Sequence, residues 1–145
     1  MASIAAAGML AAGALFGGAG TAQAAPQASE TETVAGITFD SFYYGNGRKI
    51  SAYRSGEFMG DAEWIQDSPT SGGPGDRLCV FDPTKDRHHL SARLKNGRSV
   101  TTNGHNVPHR ACKGGNLPED RTYKMRLCVT GSGGTVCSRY YEVTS

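Results

Sequence analysis

The chain has 145 residues, of which 38 % are hydrophobic and 19 % charged, and its formal net charge is only +2. That length suits one domain, and the sequence shows no dense basic stripe with interleaved aromatics of the kind that a nucleic-acid-binding role calls for. The charge is divided along the chain: residues 25–76 hold three bases and eight acids, near −5, and residues 77–145 hold twelve bases and five acids, near +7.

Residues 1–24 carry no charged side chain, and an Ala-rich apolar core runs from Ile4 to Phe16 before Gly17-Gly18-Ala19-Gly20. Ala22-Gln23-Ala24 has the small-x-small form that signal peptidase accepts, so residues 1–24 read as a signal peptide cleaved before Ala25. The run is too short and too rich in Gly and Ala for a retained transmembrane anchor. It lacks the basic segment usual in front of such a core, the first Lys or Arg being Arg48. The expectation is a secreted, extracellular protein with no membrane association after cleavage.

Residues 25–36 follow as a flexible N-terminal arm, since 25–33 (APQASETET) are polar and acidic with nothing to bury. A folded domain is expected over residues 37–145. Ile37 and Phe39 alternate with Thr38 and Asp40, Phe42-Tyr43-Tyr44 runs into Gly45-Asn46-Gly47, and Ile50 and Ala52 resume the alternation, which predicts an antiparallel hairpin. A looser stretch comes next, anchored by Trp64 and Ile65, and then a loop over residues 68–75 (SPTSGGPG). Leu78 and Val80 point to one side of the following strand and Arg77, Cys79 and Phe81 to the other. Residues 82–86 turn the chain into Leu90, Ala92 and Leu94, and Asn96-Gly97 turns it toward Val100. Residues 102–118, rich in Gly, Asn and Pro, read as one long loop tied down through Cys112.

The last hairpin is the most informative segment. Cys79, Cys112, Cys128 and Cys137 are an even number in a small exported domain, which reads as two disulfides. With Cys128 opposite Cys137, Val129 faces Val136, Leu127 faces Ser138, Met125 faces Tyr140, and Gly131-Ser132-Gly133-Gly134 is the turn. One face then holds Tyr123, Met125, Leu127, Val129, Val136 and Tyr140, and the other Lys124, Arg126, the disulfide, Arg139 and Tyr141. A single register thus separates apolar from charged residues and pairs the cysteines, leaving Cys79 with Cys112. Seven or eight short strands without a helical apolar period predict an all-β fold, a small antiparallel β-sandwich of immunoglobulin-like type or a barrel. Arg77-Leu78-Cys79-Val80 recurs as Arg126-Leu127-Cys128-Val129, two copies too short to establish duplication.

Chemistry is sparse. His105-x-x-x-His109-x-x-Cys112 is the only ligand-like spacing, but Cys112 is committed to a disulfide and Pro108 separates the histidines in a loop, so neither a metal nor a cofactor is expected. No nucleophile elbow, phosphate-binding Gly loop or zinc-protease signature is present, and no residue is assigned a catalytic role. Trp64 with Tyr43, Tyr44 and Tyr53 suggests an aromatic sugar platform, although a lone Trp beside Ile65 is more often core packing. Lys124, Arg126 and Arg139 on one face suit an acidic partner. The arm, through Ala25, Pro26 and Gln27 and onward to the β-prone Val34, Ile37 and Phe39, suits docking in extended form.

The Ala/Gly-rich leader ending in AQA-AP, the strands marked Leu78-Cys79-Val80 and Leu127-Cys128-Val129, and Cys137 closing a terminal hairpin resemble the small secreted disulfide-containing β-sandwich proteins of actinomycetes. Some of that group resemble connector subunits of umbrella-like secreted toxin particles, which join a large repeat-containing toxin chain to lectin-like subunits through a flexible N-terminal arm. That resemblance implies a non-catalytic adaptor whose partners are other secreted proteins, with residues 25–36 as the docking arm. The alternatives are a stand-alone sugar-binding or antimicrobial effector, a small secreted hydrolase, or a metal-binding protein.

Overall fold

The structure, a computed structural model, describes residues 29–45, 47–66 and 75–145. The expected leader, the first part of the arm with Ala25, Pro26 and Gln27, and the loop at 68–75 apart from Gly75 lie outside the described residues. In chain order the strands are β1 (Glu30–Val34), β2 (Ile37–Tyr44), β3 (Gly47–Arg54), β4 (Glu57–Ile65), β5 (Arg77–Asp82), β6 (His89–Leu94), β7 (Ser99–Thr101), β8 (His109–Lys113), β9 (Thr122–Gly131), β10 (Gly134–Cys137) and β11 (Tyr141–Thr144). All pairings are antiparallel. One sheet has the order β1-β2-β3-β4-β5-β8, and the other runs β10-β9-β6-β7 with β11 also on β9.

Alternation explains how two sheets come to share one core. Successive side chains of a strand point to opposite faces, so a strand with every second residue apolar buries one face. Ile37 and Phe39 of β2, Ile50 and Ala52 of β3, and Leu78 and Val80 of β5 point inward from the six-stranded sheet. Leu90 and Ala92 of β6 and Met125, Leu127 and Val129 of β9 meet them from the other. Each fully buried Leu, Ile, Val or Phe side chain contributes about 1.5–3 kcal/mol through removal from water. The protein is therefore an all-β, sandwich-like fold, as the alternation predicts.

Both disulfides are those expected. Cys79–Cys112 joins β5 to β8 and Cys128–Cys137 joins β9 to β10, each as directly opposed cross-strand partners with Cα atoms 4.0 Å apart. The repeated tetrapeptide occupies equivalent places in the two sheets: Leu78 and Leu127 are fully buried, and the cysteine of each lies on the outer side.

Four sequence expectations change. The arm is not free along its length, because Glu30–Val34 form an edge strand on β2. The looser stretch before Trp64 is a nine-residue strand, β4, held between β3 and β5. Gly60 makes it possible. Its φ of +143° sits beside a register shift in the β3–β4 ladder, and a Cβ there would lie 2.3 Å from the Phe81 carbonyl oxygen and 2.7 Å from Leu90 Cδ2. The long loop over 102–118 is interrupted by β8, which pairs along β5 although Ala111 is its only apolar residue besides Cys112.

The fourth change concerns the last hairpin. Cys137, Val136, Thr135 and Gly134 oppose Cys128, Val129, Thr130 and Gly131 as expected. Beyond Ser138 the chain takes up one extra residue, so that Tyr141, not Tyr140, opposes Met125. A one-residue slip exchanges the two faces. Tyr141 is accordingly 2 % exposed in the core while Tyr140 is 36 % exposed outside.

Candidate functional site

The sequence ETETV of β1 has little to bury, and charge holds it in place. Glu30 lies opposite Ser41 and Glu32 opposite Phe39, so both carboxylates lean to the inner side of the sheet edge, where bases wait. Arg48, placed inward by the same alternation that buries Ile50 and Ala52, is 3 % exposed. It ion-pairs with Glu30 and donates to Ser41 Oγ (2.6 Å), Tyr43 OH (2.8 Å) and the Glu142 carbonyl (3.1 Å). Its guanidinium also lies 4.3 Å from the Tyr43 ring centroid and 4.7 Å from that of Tyr141. Such a buried cation is tolerable because each part of it has a partner.

The second base is Arg139, which sits in the break between β10 and β11. Its guanidinium pairs with the other oxygen of Glu30, and its main-chain N–H donates to Glu32 Oε1 at 2.6 Å. Tyr141 OH donates to the same Glu32 oxygen at 3.0 Å. Burial, reinforced by Glu32, pushes the Tyr141 hydroxyl up to about 12, so it remains a donor throughout the neutral range. Two grooves of about 220 and 360 Å³ flank this clamp, with Tyr43 and Arg48 in the walls of both.

A second cluster lies on the outer face of the six-stranded sheet. Glu63 accepts from Tyr44 OH and pairs with Arg110, and Asp61, two residues earlier on the same face of β4, lies 3.7 Å from Lys49. Burial raises the Asp61 carboxyl above the usual carboxylate range, with Lys49 and Arg110 opposing it, and Asp61 Oδ1 has no hydrogen-bond partner. Tyr44 is pushed up to about 12, again by burial, with Arg110 opposing.

The expected binding residues are scattered. Ile37 and Phe39 are 1 % and 0 % exposed, so as core residues they are closed to a partner, which corrects their assignment as docking residues. Val34 is 38 % exposed at the end of β1. Arg139 is engaged by β1, and Lys124 lies 3.7 Å from Glu142. Arg126 packs its guanidinium 4.7 Å from the Tyr140 ring centroid. The aromatic platform does not assemble: Trp64 and Tyr43 point inward, Trp64 donating to the Thr144 carbonyl, whereas Tyr53 packs against Phe58. His105 and His109 stack at 4.0 Å between centroids, and no group of three or more His, Cys, Asp or Glu suited to a metal occurs among the described residues.

Sequence reasoning missed Glu30, Glu32 and Arg48. One signal was present: Arg48 continues the inward series of Ile50 and Ala52, and a base in a core register needs a counterion. No known protein family matches the chain, and comparison with curated proteins and with solved structures likewise finds no match.

Proposed function

We propose that the chain is a secreted, non-catalytic adaptor that offers its N-terminal strand, and the residues before it, to another secreted protein. The observation that carries this reading is β1, a polar edge strand fixed to the domain by charge, whose outer edge no described strand covers. An exposed strand edge presents a row of main-chain donors and acceptors that an extended segment can pair with. Two disulfides in so small a domain suit an oxidising, extracellular setting. The clamp fixes β1 at the edge of the sheet, which favours a connector in a multi-subunit extracellular particle. A lectin-like subunit and a large repeat-containing toxin subunit are the partners this reading names.

The test is affinity purification of the tagged protein from its own culture supernatant. Co-recovery of a repeat-containing and a lectin-like protein, with one of them lost on deletion of residues 25–33, is the expected result. A disulfide-intact protein that purifies as a monomer with no partner overturns the proposal.

A further inference from the structure

The outer face of the five-stranded sheet carries a different kind of cluster. Leu90, Ala92 and Leu94 of β6 point into the core, which turns His89, Ser91 and Arg93 outward. The ladders set Arg93 opposite Arg126 of β9 on one side and opposite Ser99 of β7 on the other, with Ser91 between Cys128 and Thr101 one step along. Like charges directly opposed across strands repel each other. No described carboxylate forms an ion pair with either arginine; Glu142, on the strand beside β9, pairs with Lys124.

Two buried polar atoms on this face lack hydrogen-bond partners, Arg126 Nε and Ser91 Oγ, and Ser91 is only 7 % exposed. A groove of about 290 Å³ opens beside Ser91, walled by Ser91, Arg93, Ser99, Thr101, Asn103 and Thr130 among others; none of its lining residues is acidic, and Arg126 stands outside the lining, across the ladder from Arg93. The main-chain groups of β6 are used in ladders to β7 and β9, so β6 offers a ligand on this face only its side chains. The groove's side chains include short hydroxyls and the Asn103 amide, which both donate and accept, beside the planar cation of Arg93, which can bind a carboxylate through paired hydrogen bonds.

We propose that this groove binds an acidic saccharide, with a uronate carboxylate held at Arg93, its charge favoured by Arg126 across the ladder, and the sugar hydroxyls met by Ser91, Ser99, Thr101 and Asn103. An acidic peptide would meet the same charge but leave its main chain unpaired on the face of a sheet, so sugar is the better match. This inference is independent of the N-terminal strand, which lies at the edge of the other sheet.

Calorimetric titration of the secreted protein with trigalacturonate and with a hyaluronan tetrasaccharide tests it, using galactotriose and a glutamate-rich peptide as comparisons. Binding to at least one uronate is expected, about tenfold or more tighter than to galactotriose or the peptide and weakened by added salt. Arg93→Gln is expected to weaken it about tenfold with no fall in melting temperature, since an exposed, like-charge contact is removed. Ser91→Ala is expected to weaken it severalfold while leaving the fold intact, because its hydroxyl bonds nothing in the free protein. Silence toward both uronates, equal binding of galactotriose, or full affinity in Arg93→Gln overturns the proposal. Peptide binding as tight as uronate binding also overturns it and points instead to an acidic protein.

Discussion

On the outer face of the six-stranded sheet Lys49 meets Asp61 and Arg110 meets Glu63, whereas on the outer face of the five-stranded sheet Arg93 stands across from Arg126 and neither ion-pairs with a described acid. Both faces are built alike, each on an Arg-Leu-Cys-Val strand with a cross-strand disulfide. The contrast therefore lies in charge, not in scaffold. Charges that find counterions within the fold serve the fold, at modest net gain for exposed pairs. Charges left adjacent and unneutralised work against it, and their use has to be sought outside the molecule.

The sharpest way to separate the two sheets is through their staples. In the chain-entropy model, loss of the Cys79–Cys112 link, which spans 33 residues, costs about 4 kcal/mol, and loss of Cys128–Cys137, which spans 9, about 3 kcal/mol. Urea unfolding of the two Cys→Ala double variants should show the six-stranded sheet as the more dependent; the reverse order would mean that the folded hairpin, not the unfolded loop, sets the cost.

A smaller effect belongs to Asp61. Because burial raises its carboxyl pKa in the folded state, the folded protein keeps this proton to higher pH than the unfolded chain does. Stability from this group is thus fully present below the usual carboxylate range and is lost as pH rises through the raised value. Asp61→Asn should flatten that decline in melting temperature and gain less than about 1 kcal/mol at neutral pH, since the pair with Lys49 goes as well. Asp82, also raised by burial against bonds from Thr84 and Thr102, keeps some of the slope. A melting temperature that fell at neutral pH in Asp61→Asn would show that the ion pair outweighs the burial.

The smallest change is Arg93→Glu. Placing an acid opposite Arg126 turns repulsion into attraction and should stabilise the protein by about 0.5 kcal/mol in thermal unfolding. A loss of stability would place a counterion for Arg93 somewhere on that face and erase the contrast between the sheets.

The sequence made legible what short-range pattern controls. The register of the last hairpin, both disulfides and the inward series Leu78, Val80, Met125, Leu127 and Val129 follow from alternation and cysteine count alone. Alternation failed where one residue was inserted after Ser138, because an insertion leaves composition unchanged while exchanging Tyr140 for Tyr141. It also failed for β1 and β8, edge strands with few apolar residues, whose stability comes from partners distant in sequence: Cys79 for β8, and Arg48 and Arg139 for β1. The candidate sites were harder still. Arg139 could be read as an exposed base, but its partner Glu30 lies 109 residues away, and the pairing of Arg93 with Arg126 depends on β6 lying beside β9.

The extra residue between β10 and β11 has an effect beyond the tyrosines. One edge of β9 is shared by two short strands, and the break between them takes the Arg139 amide out of the ladder, leaving it free to donate to Glu32 across the sandwich. In hydrogen-exchange terms that amide is protected by a strand of the opposite sheet, not by its own neighbours. Its exchange is therefore expected to follow the lifting of β1, which ties the opening of the first strand to the break between β10 and β11.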